Sequence, residues 1–124
     1  MTGRPQPTTV LVLARDSVLA ALIGMLLELE DYKPVFAEPG ERPEDAIRRL
    51  RPPLIVMLDS ELDAANSDLF YARAAAAGAR VVLFSEPVAA EQLREIARER
   101  RLPCVMMPVD RVTLGRVLAE VLAG

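Results

Sequence analysis

The chain has no histidine and no tryptophan, and only one cysteine and one lysine among its 124 residues. Without histidine there is no Ser/His/Asp or Cys/His nucleophilic set and no common zinc pattern, and a lone Cys104 cannot build a disulfide framework. Lys33 is the single ammonium group, and every other basic side chain is arginine. Aromatic residues make up 4% of the chain and hydrophobic residues 52%, so the core has to be aliphatic. No apolar run reaches the roughly 18 residues that a membrane span needs. The longest, near Val18–Leu27, is interrupted by Gly24 and stops at Glu28. Charge of one sign is not concentrated anywhere: the net charge is −3, acids and bases are interspersed, and no basic stripe marks a nucleic-acid surface. Residues 1–8 are polar and proline-bearing. They read as a flexible leader without the apolar stretch of a secretion signal, ahead of one domain over 9–124. A cytoplasmic setting without membrane contact is the expectation.

What the chain does have is a regular alternation of two apolar patterns. Short β-branched and leucine-rich runs at 8–14, 33–37, 54–58, 80–85 and 102–107 predict strands, those at 8–14 and 54–58 buried on both faces. Between them lie helical spacings at 17–32, 43–51, 66–79, 87–100 and 110–123. In the first of these helices Leu19, Leu22, Ile23, Leu26 and Leu27 follow helical spacing, and in the fourth Leu93, Ile96 and Ala97 are expected to face inward. Asp16 or Ser17 stands where an N-cap belongs, Pro43 opens the second helix, and Asn66 or Ser67 caps the third, which Gly78 closes. Five strands and five helices in strict alternation imply right-handed crossovers and a three-layer α/β fold: one doubly wound, five-stranded parallel sheet covered on both faces.

In such a sheet, ligands bind outside the carboxyl ends of the strands, where the strand order reverses. The segments there are Ala14-Arg15-Asp16, Glu38, Asp59-Ser60, Ser85-Glu86 and Met107-Pro108. "LARDSV" fits neither a G-x-G-x-x-G nor a P-loop, which argues against dinucleotide and triphosphate ligands. Cys104 falls inside an apolar strand and is expected to be a buried, inert thiol, with Met106 and Met107 as core filler. Glu61, Asp63 and Asp68 are expected on a solvated loop.

The order of elements resembles the receiver domain of bacterial response regulators over about residues 9 to 123, as do the aspartate ending "LIVMLD", the hydroxyl ending "VVLFS" and the proline in "MMPVD". The resemblance implies a (βα)5 flavodoxin-like fold and a signalling role. It makes Asp59 the equivalent of the phosphoacceptor and Ser85 the hydroxyl that bonds the phosphoryl oxygen. It also implies an acidic pair after strand one that holds Mg²⁺, and a lysine before the strand-five proline.

At those positions the sequence departs from the family. An ungapped reading puts Ala14 and Arg15 at the acidic pair, with Asp16 left as a helix cap; sliding the chain by one would make Asp16 an acid of the site. The ungapped reading is preferred because it keeps the apolar phase of strand and helix. Met107 stands where the family has lysine, and Cys104 stands at the aromatic switch position. Mg²⁺ neutralises the charge that builds up when a carboxylate is phosphorylated, and it demands hard oxygen ligands. Arg15 would instead repel the metal and is expected to bridge Asp59 within about 4 Å.

The reading is therefore a non-catalytic pseudo-receiver, without cofactor, acting by protein–protein contact in a two-component-type pathway and plausibly as a homodimer. The expected face is the last helix pair, with Arg94, Arg98, Arg101, Asp110, Arg111 and Arg116. The tail "AEVLAG" ends one residue past the last helical spacing, and a receiver unit cut ahead of an output module is one expectation. Two alternatives stand: a working phosphoacceptor in which Asp16 and Asp59 hold a weak Mg²⁺, and a small flavodoxin-like enzyme or ligand-binding domain.

Overall fold

Five strands, β1 (Thr9–Leu13), β2 (Lys33–Phe36), β3 (Leu54–Leu58), β4 (Arg80–Ser85) and β5 (Cys104–Met106), form one parallel sheet in the order β2-β1-β3-β4-β5. The structure is a computed structural model that describes residues 7–58, 62–87 and 90–123. The predicted leader therefore lies almost wholly outside the described residues. β3 sits at the centre, and all five of its residues are buried, which explains the unbroken apolar run. Pro34 lies in β2, at an edge of the sheet, where its missing N–H costs no ladder bond to a further strand.

Among the described residues six helices cover the sheet, not the five expected: α1 (Ser17–Leu29), α2 (Pro43–Leu50), α3 (Leu62–Ala65), α4 (Asp68–Ala76), α5 (Ala90–Arg100) and α6 (Arg111–Ala123). The additional element is α3, where the sequence suggested a solvated loop. Its Ala64 and Ala65 are buried in the same cluster as Phe70 and Ala74, and a four-residue turn is too short to carry a readable period. Ser67, not Asn66, caps α4, its hydroxyl accepting from the Phe70 N–H at 3.2 Å.

The two layers are unequal. Ile23 and Leu27 of α1 and Leu114 and Leu118 of α6 pack on one sheet face, against Val10, Val12, Leu54, Val56 and Phe84. On the other face α2, α3, α4 and α5 pack against Leu11, Leu13, Ile55, Met57 and Leu83. Leu22 shares the helical spacing of Ile23 and Leu27 but is 50% exposed. The reason is that α1 is apolar on nearly every side, so its spacing alone does not single out the buried face.

The strand order fixes where a site can form. From β1 the chain steps outward to β2, then returns past β1 to β3. The reversal opens a crevice between the carboxyl ends of β1 and β3, the position at which doubly wound folds bind ligands.

Candidate functional site

After Leu13 the chain leaves the sheet through Ala14, which is half-buried against the α1/α6 side of the core, and Arg15, which is exposed. Asp16 then turns the chain into α1 in an extended conformation (φ −77°, ψ 112°). Its Oδ1 accepts from the backbone N–H groups of Val18 at 2.9 Å and Leu19 at 3.2 Å. Asp16 is thus the N-cap of α1, satisfying two N–H groups that have no partner inside the helix. Its negative charge also sits at the positive end of the helix dipole.

Leu58 is the last described residue of β3. Asp59, Ser60 and Glu61 lie outside the described residues, and with them the expected Arg15–Asp59 bridge. What the structure does place beside Arg15 is Asp63 of α3, whose Oδ2 is 4.0 Å from a guanidinium nitrogen. The two side chains are 67% and 99% exposed, so this long contact contributes at most about 1 kcal/mol.

Ser85, at the end of β4, is fully buried, and its hydroxyl donates to the Glu86 carbonyl at 2.9 Å. The backbone N–H of Met107 donates to the Ser85 carbonyl at 2.7 Å and ties the end of β5 onto β4. Met107 precedes Pro108 through a cis peptide bond and packs, half-buried, on the α1/α6 side of the core. It therefore fills space as expected. Met106 does not: β5 is an edge strand, and Met106 is 36% exposed. Cys104 is likewise half-buried rather than fully buried. Burial still pushes its thiol pKa up, with the nearby Arg94 charge opposing in part, so the reactive thiolate is disfavoured.

Receiver chemistry implies Mg²⁺, and the residues present can be tested for it. A divalent cation of this kind needs hard oxygen ligands in near-octahedral geometry. At the end of β1 the chain offers a methyl group (Ala14) and a cation (Arg15), and Asp16 has one oxygen committed to two backbone N–H groups. Met107 offers a thioether. Among the described residues no three His, Cys, Asp or Glu side chains are grouped to hold a metal. The described donor set does not fit Mg²⁺.

Beside the crevice, a cleft of about 720 Å³ opens between the loops that follow β1 and β2. Ala14, Arg15, Ser17, Phe36, Glu38 and Pro39 are among its lining residues, whereas Ser85 and Met107 are not. Its β2 side is held by Arg49, which donates to both oxygens of Glu41 at 2.8 and 2.7 Å. Glu41 also accepts from the Glu38 N–H at 2.9 Å, and these bonds, the Arg49 one foremost, lower its carboxyl pKa to about 2.

The six residues of the expected interaction face separate. Arg94, Arg98, Arg101 and Arg116 are exposed. Asp110 accepts from the Thr113 N–H at 2.7 Å in the first turn of α6. Arg111 donates to the Leu29 carbonyl at 3.0 Å and is ion-paired with Glu30, so it joins α6 to the end of α1. The sequence reading missed the outer side of α1, where Val18, Leu22, Met25 and Leu29 are all at least half exposed. Their four-three-four spacing was the available signal.

No protein family matches the chain, and no curated protein does. Solved structures do. A response regulator from Thermotoga maritima superposes with a TM-score of 0.74 at 14% identity, over 95% of this chain and 99% of that one. The signal receiver domain of a modulated diguanylate cyclase from Desulfovibrio desulfuricans G20 gives 0.73 at 20% identity, over 94% of both chains. A protein from Burkholderia pseudomallei K96243 described as pilus assembly-related gives 0.73 at 15% identity, over 99% of this chain and 96% of that one. The chain thus has the five-stranded parallel α/β fold of response-regulator receiver domains.

Proposed function

We propose that this chain is a receiver-type signalling module that works by protein–protein contact and does not take a phosphoryl group through Mg²⁺. The observation that carries the reading is the end of β1, where Ala14 and Arg15 replace metal-binding oxygens and Asp16 is engaged in capping α1. Two further features support it. The Ser85 hydroxyl is buried and bonded to its neighbour's carbonyl. Met107 supplies no positive charge to neutralise a phosphoryl oxygen.

In this reading Arg15 holds the charge of the site in place of a metal. β1 and β3 run in step as far as the pair Leu13 and Met57, which supports an approach of Arg15 to Asp59. An arginine–carboxylate pair there would occupy Asp59 and hold it ionised. The fold is shared by a protein described as a response regulator and by one described as pilus assembly-related. The pathway is therefore not read from the fold, and the role rests on the site.

Incubation with acetyl phosphate and Mg²⁺, followed by intact mass measurement, tests the proposal. No phosphoryl adduct is expected. A stoichiometric adduct on Asp59 would identify a working phosphoacceptor instead.

A further inference from the structure

At the amino end of the sheet, opposite the crevice, a small pocket lies between the last turns of α2 and α4. It has a volume of about 240 Å³ and is lined by Ile47, Arg48, Arg51, Arg73, Ala76 and Ala77. Three of these six residues are arginines and none is acidic. Arg48 and Arg51 are exposed, and Arg73 is half-buried. Among the described residues none of the three guanidinium groups makes an ion pair or a hydrogen bond. Other arginines of the chain do: Arg49 holds both oxygens of Glu41, Arg100 pairs with Asp68 at 2.8 Å, and Arg111 pairs with Glu30.

We infer that this pocket is an anion-binding site, and that its ligand is the phosphate group of a small soluble phosphate ester. Charge selects the class. Basic side chains at a helix C-terminus complement a partial charge of about −0.5 there. The two helix ends together therefore account for about one of the three positive charges, and none of the three side chains donates to a helix carbonyl. Glu44 and Asp45, in the first turn of α2, stand one turn before Arg48 and pair with none of the three. About two positive charges are left over, which matches a phosphate ester at about −1.5 to −2 near pH 7 better than a single carboxylate. The planar fork of arginine also suits phosphate oxygens in pairs. A further arginine reinforces the field, since the Arg80 N–H donates to the Pro53 carbonyl at 3.0 Å, beside the segment that follows Arg51.

Size and surroundings select the source. The pocket is smaller than the roughly 300 Å³ at which drug-sized ligand pockets begin, so it takes a compact anion and not a whole dinucleotide. Of the large exposed apolar side chains only Leu69 belongs to α2 or α4. The pocket thus lacks the apolar surround with which an interfacial helix enters a membrane surface.

The backbone gives an independent indication. Arg51 is the C-cap of α2 and stands in the left-handed region (φ 47°, ψ 54°), which favours glycine. After α4 the left-handed position is filled by Gly78 (φ 72°). At the end of α2 an arginine stands there against the local preference, which points to a side chain held for its charge.

The inference is independent of whether Asp59 accepts a phosphoryl group, since the pocket lies at the other end of the sheet. Isothermal titration calorimetry with sodium pyrophosphate at constant ionic strength tests it. One-to-one, saturable binding is expected, and acetate at the same concentration is expected to give none. Arg48→Gln, Arg51→Gly and Arg73→Gln should each weaken binding about tenfold, the loss of one charge-assisted bond. Arg94→Gln, on α5, should leave it unchanged. Arg51→Gly also separates a ligand role from a structural one, because glycine suits that backbone: its urea midpoint should not fall while its affinity does. Should it misfold, Arg48→Gln, at an exposed position, still has to weaken binding.

The source of the phosphate is read by comparing glycerol 3-phosphate, a phosphoserine peptide and vesicles of phosphatidylcholine with phosphatidylserine. Glycerol 3-phosphate is expected to bind most tightly. Tighter binding of the peptide or the vesicles overturns the assignment to a soluble ester. No saturable pyrophosphate binding, equal binding of acetate, or equal weakening by Arg94→Gln overturns the site itself. So does an affinity that survives the changes at Arg48, Arg51 and Arg73.

Discussion

Asp16 decides between two accounts of the site, because one carboxylate cannot serve fully as both helix cap and metal ligand. As a cap it accepts from two backbone N–H groups, and replacing such a residue by alanine costs about 1 kcal/mol. Asp16→Ala should therefore lower the unfolding free energy measured in urea by that amount, and Asp16→Asn, which also caps, should retain most of the stability. Added Mg²⁺ should leave both differences unchanged; a Mg²⁺-dependent difference would mean that Asp16 is a ligand. Glu41 offers a second test at the same scale. Its carboxyl is held at about 2 in the folded chain against an ordinary value of 4.5, chiefly by its bonds from Arg49. A depressed folded pKa contributes stability that is complete above the unfolded value and is lost as the pH falls from about 4.5 toward 2. Unfolding midpoints measured against pH should show Glu41→Gln less stable at neutral pH, with the two curves converging near pH 2.

The helices separate what a sequence pattern can carry from what it cannot. The end of α4 was legible because Gly78 takes a left-handed backbone (φ 72°) just after the Ala77 cap, a position that favours glycine. Gly78→Ala should destabilise the fold by about 1 kcal/mol in denaturant unfolding, since the added side chain is strained there although it meets no neighbour within 4 Å. The short α3 was not legible. Its identity comes from tertiary contacts, the burial of Ala64 and Ala65 and the bond from the Tyr71 hydroxyl to the Ala65 carbonyl at 2.7 Å, which no local spacing encodes. The inner face of α1 was also ambiguous, because Leu22 and Ile23 look alike in sequence and only packing against β1 and β2 separates them. Cys104 and Met106 were taken as core residues because their strand is apolar; its place at the sheet edge, not its composition, exposes them.

At the scale of the whole molecule, strict alternation of strand and helix was enough to define a doubly wound parallel sheet, and the order β2-β1-β3-β4-β5 then places the ends of β1 and β3 together. That geometry places Ala14 and Arg15, which follow β1, at the crevice beside the end of β3. Ala14, Arg15, Ser85 and Met107 were named from sequence because the rule for strand ends needs only element boundaries. What each side chain does was less accessible: that the Ser85 hydroxyl turns inward to the Glu86 carbonyl depends on how the end of β4 is covered. The account's central claim is that this edge of the sheet has kept the receiver architecture without its metal-dependent chemistry. The most direct measurement is a titration of the protein with Mg²⁺ and beryllofluoride, followed by the amide resonances of Leu58, Ser85 and Met107. The account predicts no saturable change at these positions. A stoichiometric, saturable shift of all three, dependent on Mg²⁺, would contradict it.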